Sequence, residues 1–357
     1  MKYPLDKLDN YFLNYNKITE DMEYEIFDIY AKDMITVNRI DLVVKYYYIE
    51  CREKNQDLDF AKELYKKHIE AFTDGTFSEQ GNSNKNSLEK YIEVFDNLID
   101  DFKVNGYSSD ISIIPIGKNY ELLDGSHRTA CAAYFNQKIK VIRFPNLSVD
   151  YGFEFFKWRL LDDFYLDFIA NKFAMLKDNI YILIAWPQIA GSNNIKVIDE
   201  ILEKNQCKVI YRKRLKFNRE GLWNLIFQIY KDEPWIGHNK SNFKGITVKT
   251  DLCYDKSGCV EIYILNCPYL QSLSMAKDEI RESFGIGKSS IHTSDTKKET
   301  TEILNFIFDK NYDEILYNSF QLNRSLKHSW IKYFGRKIRN KYRVSINNIK
   351  SILSKPV

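Results

Sequence analysis

Hydrophobic and polar positions recur with a helical period over much of the first 106 residues. Apolar residues return at Ile26, Ile29 and Tyr30, and the segment 57–72, DLDFAKELYKKHIEAF, shows the same spacing of three or four. The segment 87–106, SLEKYIEVFDNLIDDFKVNG, is amphipathic, with Ser87 placed to cap it and Gly106 to end it. We therefore expect helices over 19–72 and 87–106, separated by the polar loop 73–87, TDGTFSEQGNSNKNS.

The period changes after residue 106. Short apolar runs predict strands at ISIIPIG, 111–117, at YELLD, 120–124, and at KIKVIRF, 138–144. Between the last two runs lies GSHRTACAAYFN, 125–136, a small-residue segment with helical character. The order helix–strand–strand–helix–strand within about sixty residues predicts a compact α/β unit.

A second series of elements follows from residue 150. We expect helices over 150–176, 193–205, 218–231, 273–285 and 294–308, and strands over 181–187, 207–215, 244–254 and 259–266. The predicted fold class is α/β, or mixed α+β. Its predicted parts are a helical extension, 1–72, an α/β domain, 73–149, a connecting helix, 150–176, a second α/β domain, 177–321, and a basic tail, 322–357.

Composition places the chain among ordinary globular proteins. It is 44% apolar and 28% charged, and no apolar run approaches the ~20 residues that a membrane span needs. The first residues, MKYPLDKLDN, do not resemble a signal peptide, so we expect a cytoplasmic protein. The six cysteines include no CxxC pair and lack a matching set of histidines, which favours reduced, buried thiols over a zinc site.

Charge is distributed unevenly along the chain. Residues 322–357 contain ten Lys or Arg and no Asp or Glu, whereas the rest contains 42 basic and 49 acidic residues. Trp330, Phe334 and Ile338 are spaced four apart, as on one face of a basic amphipathic helix. Such a helix suits an anionic membrane surface, so the protein would be peripheral at the inner face of the cell membrane. A nucleic acid is a second, less favoured partner, and simple packing on the acidic body is the third alternative.

The stretch LLDGSHRTACAAYF, 122–135, concentrates the candidate chemistry. An apolar strand end runs into Asp124-Gly125-Ser126-His127-Arg128, and a helix follows. A glycine lets the backbone approach a ligand, the free N–H groups of a helix N-terminus favour phosphate, and an arginine offers a fork of donors. Asp124 could hold Mg²⁺ or orient the histidine. The alternative is that Asp124 only caps the helix and Arg128 lies on its surface.

The Asp-Gly-Ser-His-Arg box at a strand-to-helix turn resembles the ParB/sulfiredoxin superfamily. The resemblance covers about residues 85–145, and the loop from 73 would belong to the same domain. It implies nucleotide binding at Gly125, Ser126, His127, Arg128 and Thr129. Sulfiredoxins use ATP to phosphorylate a sulfinic acid, ParB proteins bind and hydrolyse CTP, and free-serine kinases phosphorylate an amino-acid hydroxyl.

This chain differs from the superfamily in two ways, which argue against two of the three activities. The sulfiredoxin box carries a cysteine beside its glycine, but here Ser126 lies near that place and Cys131 is a turn too far along. No helix-turn-helix segment follows the box, unlike in ParB proteins. A hydroxyl-directed kinase remains. A kinase needs a group that accepts the substrate proton and cations that screen the phosphates.

The polar loop supplies candidates for these kinase roles. Glu79 is the candidate base and Lys85 the candidate phosphate partner, with a solvated loop as the alternative for both. His127 could shuttle a proton or contact phosphate, since an unperturbed histidine titrates near ~6.5. The predicted catalytic set is therefore Glu79, Asp124 and His127.

A second candidate site lies in the C-terminal half. FGIGKSSIHTSDTKKET, 284–300, lacks the spacing of a Walker A loop. Nevertheless Lys249, Arg281, Lys288 and His292 could converge on one phosphate of a sugar or nucleotide. Asp295 is a further candidate, although capping of the following helix would also explain it. This half resembles, weakly, a domain paired with ParB-like domains in bacterial surface-glycan gene products.

The sequence thus predicts a bacterial kinase that transfers a phosphoryl group from ATP, or another NTP, with Mg²⁺. The acceptor would be a sugar, polyol or amino acid used in surface-glycan or capsule polysaccharide biosynthesis. One alternative is a ParB-like nucleotide switch whose tail binds DNA or membrane. In the other alternative the C-terminal domain is the catalyst and the ParB-like domain a sensor.

Overall fold

The computed structural model describes residues 4–79, 81, 85–238 and 241–308, so the basic segment 322–357 lies outside the described residues. The chain divides into two compact units between Ile169 and Ala170. Both units mix helices with a small sheet, which confirms the mixed α/β class. The segments 1–72 and 73–149 fall in the same unit, as does most of 150–176.

The first unit is mainly helical. Its helices are α1 (Asn10–Tyr15), α2 (Asp41–Lys54), α3 (Leu58–Phe72), α4 (Leu88–Asn105), α5 (Ser126–Tyr134) and α6 (Phe153–Trp158), and α7 (Asp163–Leu176) extends across the division. Ser87 caps α4 by accepting a hydrogen bond from the Lys90 N–H, and Gly106 ends that helix with φ 68°. The predicted boundaries of α4 are therefore confirmed to within a residue.

A three-stranded sheet accompanies these helices. Its strands are β1 (Glu25–Tyr30), β2 (Ile114–Ile116) and β3 (Lys138–Arg143), in the order β1-β3-β2. Strand β3 runs parallel to β2 and antiparallel to β1. The predicted strand at 120–124 is reduced to one bridge between Ile116 and Leu122. The predicted order of elements in 85–145 is otherwise confirmed, and it places the Asp-Gly-Ser-His-Arg box at the start of α5.

The helix predicted to include residues 26–30 is wrong, because these residues form β1. Glu25–Tyr30 alternates between exposed and half-buried positions, with Phe27 and Ile29 on the half-buried side. Its partner is β3, more than a hundred residues away, so the pairing that decides the conformation is not a local feature.

The second unit contains a four-stranded antiparallel sheet. Strands β4 (Ile180–Ala185), β5 (Lys208–Lys216), β6 (Cys259–Asn266) and β7 (Ile291–Thr293) lie in the order β5-β6-β4-β7. Its helices are α8 (Ser192–Lys204), α9 (Arg219–Tyr230), α10 (Lys244–Cys253), α11 (Leu270–Phe284) and α12 (Lys297–Phe308). The strand β7 was not predicted, because three residues are too short to show a pattern.

The strand predicted over 244–254 is also wrong, because this segment forms α10. Ile246, Thr247 and Val248 are β-branched and favour a strand by local propensity. The buried residues are Ile246, Thr250 and Cys253, whose spacing of four and three is that of one helix face. Packing of this face therefore overrides the propensity of the individual residues.

The core of the second unit lies between its sheet and helices α8 and α11. Leu183, Tyr263 and Leu265 of the sheet pack with Ile198 and Ile280, all fully buried. All six cysteines are free, and five of them are buried as expected. Among the described residues, no helix has the length and apolar character that crossing a membrane requires.

Candidate functional site

Helix α5 begins without a side-chain cap. Its N-cap residue is Gly125, in the left-handed region with φ 82° and ψ 31°, and no side chain accepts a hydrogen bond from the first turn. The alternative in which Asp124 caps the helix is therefore not what the structure shows. An uncapped helix start keeps backbone N–H groups available to an anion.

Gly125 can be tested by substitution. A Cβ here would lie 3.0 Å from Arg128 Nη2 and 3.0 Å from Ile114 Cδ1, and the positive φ disfavours any L side chain. We expect Gly125→Ala to lower the free energy of unfolding by about 1–3 kcal/mol, measured by urea denaturation. Gly191→Ala is the matched control, because Gly191 is also an N-cap glycine but has φ −77° and open space around it. An equal loss in both variants would contradict the strain argument.

Arg128 is half-buried and already has protein partners. Its Nη1 donates to Ser112 Oγ, and its Nη2 lies 3.5 Å from Asp124 Oδ2. Ser112 takes one of the five N–H donors of the guanidinium, so donors remain for a phosphate oxygen. The structure therefore does not support the alternative in which Arg128 only lies on the surface of the helix.

Asp124 is the carboxylate beside this helix start, and 40% of its side chain is exposed. Mg²⁺ in nucleotide sites is commonly bound by one or two carboxylates together with the phosphates. A single exposed carboxylate next to an anion-favouring helix start fits that donor set. Within the described ranges, no group of three His, Cys, Asp or Glu side chains could hold a metal ion.

His127 points towards helices α3 and α4. Its Nε2 lies 2.8 Å from the Tyr65 hydroxyl, and its ring centroid lies 4.7 Å from that of Phe95. Burial, followed by the charges of Lys85 and Lys45, lowers the pKa of His127 well below its ordinary value. Burial also raises the pKa of Tyr65, so both groups are neutral near pH 7. The imidazole can therefore donate or accept a proton, but it is not a cation for phosphate.

The loop before α4 brings the other two kinase candidates together. The Glu79 N–H donates to the Lys85 carbonyl over 3.0 Å, and Lys85 Nζ lies 2.7 Å from Glu79 Oε2. Lys85 is buried, with its Nζ 5.5 Å from the Tyr91 ring centroid, whereas 38% of the Glu79 side chain is exposed. Lys85 packs on Tyr91 of α4, one turn before Phe95, whose ring packs against His127.

Ser126 and Thr129 complete the predicted nucleotide set. Ser126 is half-buried in the first turn of α5, where a ligand at the helix start would meet it. Thr129 is fully buried, and its N–H donates to the Gly125 carbonyl. This placement does not favour the predicted contact between Thr129 and a nucleotide.

A buried ion network that the sequence did not reveal lies behind the box. Asp41 accepts from Arg39 Nε at 2.8 Å, from Arg39 Nη2 at 2.9 Å and from Lys45 Nζ at 2.9 Å. Arg39 Nη1 also donates to the Leu122 carbonyl, which ties the network to the strand end before Asp124. Lys45 Nζ lies 3.5 Å from His68 Nε2. All four charged or titratable side chains are almost completely buried.

Protonation in this network follows from its geometry. Burial alone would raise the pKa of Asp41, but the charges of Arg39 and Lys45 outweigh it and hold that pKa well below its ordinary value. Burial, helped by the charge of Lys45, lowers the pKa of His68 well below its ordinary value. The network therefore carries two cations, one carboxylate and a neutral imidazole, a positive balance that favours an anion nearby.

His68 makes stability depend on pH. The unfolded chain protonates this histidine below about pH 6.5, whereas the folded chain keeps it neutral, so the unfolded state binds more protons there. Stability should fall as the pH falls from about 6.5 to 5, by about 1.4 kcal/mol per pH unit from this residue alone. Urea denaturation of His68→Gln at pH 7, 6 and 5 should show a slope smaller by that amount. An unchanged slope would contradict the argument, and the exposed His238→Gln is the control.

The residues of this network were missed for a physical reason. They lie in segments whose apolar pattern predicts ordinary helices, and charged residues in such segments usually face solvent. One signal was present, since Asp41 and Lys45 are four apart in an otherwise apolar stretch, RIDLVVKYYYI, 39–49. A charge pair at that spacing on an apolar face predicts a buried ion pair.

Five residues of the second unit were predicted to share a site. Of these, Lys249, Arg281 and Lys288 lie in the same region of that unit. Lys249 Nζ donates to the Lys288 carbonyl, and the charges of Arg281 and Lys288 contribute to a lowered pKa of Lys249, whose main cause is burial. His292 is buried instead: its Nδ1 lies 3.0 Å from the Tyr230 hydroxyl and its Nε2 lies 3.1 Å from Glu299 Oε1.

Asp295 is the fifth predicted residue of that site. It pairs with Lys277 at 2.9 Å, and its N–H donates to Glu299 Oε2. These contacts hold the turn before α12, so neither Asp295 nor His292 faces the three cations as a free group. The sequence pattern placed these residues close in the chain but could not show which partners each would take.

Comparison of the chain with known protein families, curated proteins and solved structures does not assign it to a family. No protein-family model matches the chain, and neither the curated proteins nor the solved structures include a significant match. The resemblance to the ParB/sulfiredoxin superfamily therefore stays a prediction based on residues 85–145.

Proposed function

We propose that the first unit is a phosphotransferase. It would transfer a phosphoryl group from ATP, or another NTP, with Mg²⁺, to the hydroxyl of a small acceptor. The observation that carries this proposal is the Glu79–Lys85 pair at 2.7 Å in the loop before α4, together with the uncapped start of α5. A carboxylate, a buried ammonium and a helix N-terminus are the parts that phosphoryl transfer needs.

The nucleotide phosphates would bind at the start of α5. Its free N–H groups and the positive end of its dipole favour phosphate oxygens, and Arg128 and Lys85 add charge on either side. Gly125 keeps this approach free of a side chain. Asp124 would hold Mg²⁺, which screens the negative charge on the phosphates. The buried Arg39–Asp41–Lys45 network makes the surrounding potential more positive.

Glu79 would act as the base. It would accept the proton of the acceptor hydroxyl, whose oxygen attacks the γ-phosphorus while the bond to the β–γ bridging oxygen breaks and ADP leaves. The proton on Glu79 then returns to solvent, since its side chain is 38% exposed. Lys85 would stabilise the charge on the transferred group. His127, held by Tyr65, would donate one N–H to the same oxygens.

The acceptor class comes from the resemblance alone. Free-serine kinases of this superfamily use a hydroxylated amino acid, and the second half resembles proteins of surface-glycan biosynthesis. We therefore propose a sugar, polyol or amino acid as the acceptor and a cytoplasmic reaction, with the basic segment 322–357 attached to an anionic membrane surface.

The test is an acceptor-dependent assay. The full chain is incubated with ATP and Mg²⁺, with and without a panel of monosaccharides, polyols and serine, and ADP is quantified. We expect ADP only with a matching acceptor, together with a new phosphate-ester signal in the ³¹P spectrum. Slow acceptor-independent hydrolysis with a change in oligomeric state would contradict the kinase and support a nucleotide switch. Loss of activity in Lys288→Ala but not in Arg128→Ala would instead place the catalyst in the second unit.

A further inference from the structure

Lys249 and Arg281 of the second unit lie on helices α10 and α11, both of which contact the turn that carries Lys288. Lys249 on α10 is held against the rings of Trp186 and Tyr230, with its Nζ about 6 Å from each centroid (5.9 Å and 6.0 Å). It donates to the Lys288 carbonyl in the turn that follows α11. Arg281 lies on the last turn of α11; burial lowers the pKa of Lys249 and the charge of Arg281 adds to that effect, whereas the same charge opposes the rise that burial causes in the pKa of Tyr230.

These cations are poorly neutralised. Within the described part of the chain, no carboxylate lies within ion-pair distance of Lys249 or Lys288. The nearest acid to Arg281 is Asp278 at 3.9 Å, which is 79% exposed and therefore screened by water. The Nε of Arg281 is buried and has no hydrogen-bond partner among the described residues. A buried guanidinium N–H without an acceptor costs free energy of folding. We therefore expect a bound anion to accept this hydrogen bond.

The turn beside Lys288 leaves room for such an anion. Gly285 and Gly287 have φ of 65° and 55°, and a Cβ on either would meet nothing within 4 Å. Two glycines in the left-handed region keep the backbone bare at the point where Lys288 is exposed. Among the described residues, no side chain therefore fills the space at these two glycines.

Lys249 also lines a groove of about 530 Å³. Its other walls are largely apolar and belong to α10 and the turn before it: Trp235, Gly237, Lys244, Gly245, Val248 and Leu252. Trp235 is 44% exposed, and its ring lies 5.1 Å from that of Tyr230 at 65°. The groove is largely open to solvent, and its exposed indole suits the face of a ring.

Tyr230 is fixed in place from behind. His292 Nε2 lies 3.1 Å from Glu299 Oε1, and its Nδ1 lies 3.0 Å from the Tyr230 hydroxyl. Both Trp235 and Lys249 pack on the Tyr230 ring. The contacts of the buried His292 with the half-buried Tyr230 and Glu299 therefore position the wall that joins the groove to the cations.

We infer that the second unit binds a small phosphate monoester, with its phosphate among Lys249, Arg281 and Lys288 and its ring in the groove against Trp235. Three cations suit the two charges of a phosphate better than the single charge of a carboxylate. The shared chemistry fits a sugar phosphate or a nucleoside monophosphate. The inference is independent of the phosphotransferase, because none of its residues lies in the first unit.

Calorimetric titration of the full chain tests this site. The ligands are glucose 1-phosphate, AMP, inorganic phosphate and glucose. We expect one or both esters to bind more tightly than inorganic phosphate and glucose not to bind. Tighter binding of glucose 1-phosphate would identify a sugar phosphate and tighter binding of AMP a nucleotide. Equal affinity for glucose and glucose 1-phosphate, or no binding of either ester, would overturn the inference.

Variants separate this site from the first unit. Lys288→Gln and Arg281→Gln should each weaken binding of the ester about tenfold, with rescue in Lys288→Arg. Lys288 is exposed, so its variant tests the site without a folding defect. Lys298→Gln, an exposed lysine on α12, is the matched control. Binding that is lost in Lys85→Gln but kept in Lys288→Gln and Arg281→Gln would assign the ester to the first unit and overturn the inference.

Discussion

A Glu79→Gln variant is expected to transfer phosphate about 10²–10⁴ times more slowly than the wild type, because general-base catalysis is typically worth that factor. Glutamine keeps the size of the side chain and can still accept a hydrogen bond from Lys85, but it cannot accept the acceptor's proton. The rate should therefore fall while the affinity for nucleotide, measured by titration with Mg²⁺ and ATP, stays within a few-fold of the wild type. Single-turnover kinetics with saturating acceptor would measure the chemical step directly.

The control for this variant is Glu93→Gln. Glu93 is a glutamate on α4 that pairs with Lys90 at 2.7 Å, the distance at which Glu79 pairs with Lys85, although Glu93 is more exposed, at 56% against 38%. It has no role in the proposed site, so its rate should not change. Equal rates in Glu79→Gln and the wild type would remove Glu79 from the mechanism. A loss of nucleotide affinity as large as the loss of rate would make its role the placement of Lys85.

Replacing Asp41 by alanine should destabilise the chain by about 3–5 kcal/mol. Asp41 is 1% exposed and is the shared partner of Arg39 and Lys45, so its removal leaves two buried cations without a counter-charge. Breaking a buried pair in this way costs far more than the pair itself contributes. Urea denaturation at pH 7 would measure the difference in the free energy of unfolding.

The comparison for Asp41 is Asp28→Ala. Asp28 on β1 also forms an ion pair, with Lys140 at 3.0 Å, but 56% of its side chain is exposed. We expect a loss below about 1 kcal/mol, because water screens that pair. If both variants lost the same free energy, the Arg39–Asp41–Lys45 network would not be the desolvated cluster described above. Asp41→Asn should fall between the two, since it keeps the hydrogen-bond acceptor but not the charge.

Local patterns predicted the elements whose own residues decide their conformation. Helix α4 follows from its amphipathic period with Ser87 and Gly106 at its ends, and β4 follows from the continuous apolar run before Pro187. Strand β1 could not be predicted in this way, because its ladder to β3 joins residues more than a hundred positions apart. The prediction for the segment of α10 was wrong because its β-branched residues indicate a strand by local propensity, whereas burial of one face selects the helix.

The candidate site was predictable where backbone geometry determines it. Gly125 was predicted to let the backbone approach a ligand at a helix start, and it is the N-cap of α5, in the left-handed region and without a side-chain cap. The loop residues Glu79 and Lys85 were assigned from chemistry, and the structure pairs them. The spacing of Asp41 and Lys45 was a signal for their ion pair, but the contact of Arg39 with the Leu122 carbonyl was not predictable, because it depends on how α2 packs near the box. Likewise, only the packed structure shows that the two ring nitrogens of His292 lie against Tyr230 and Glu299 and not against a ligand.

The central claim is that the start of α5, with Lys85 and Arg128, binds nucleotide phosphates. Calorimetric titration of the full chain with ATP and Mg²⁺ tests it most directly, in the wild type and in Lys85→Gln, Arg128→Gln and Lys288→Gln. The account predicts one bound nucleotide whose affinity falls about tenfold or more in the Lys85 and Arg128 variants but stays unchanged in Lys288→Gln. No binding by the wild type, or binding that only Lys288→Gln weakens, would contradict it.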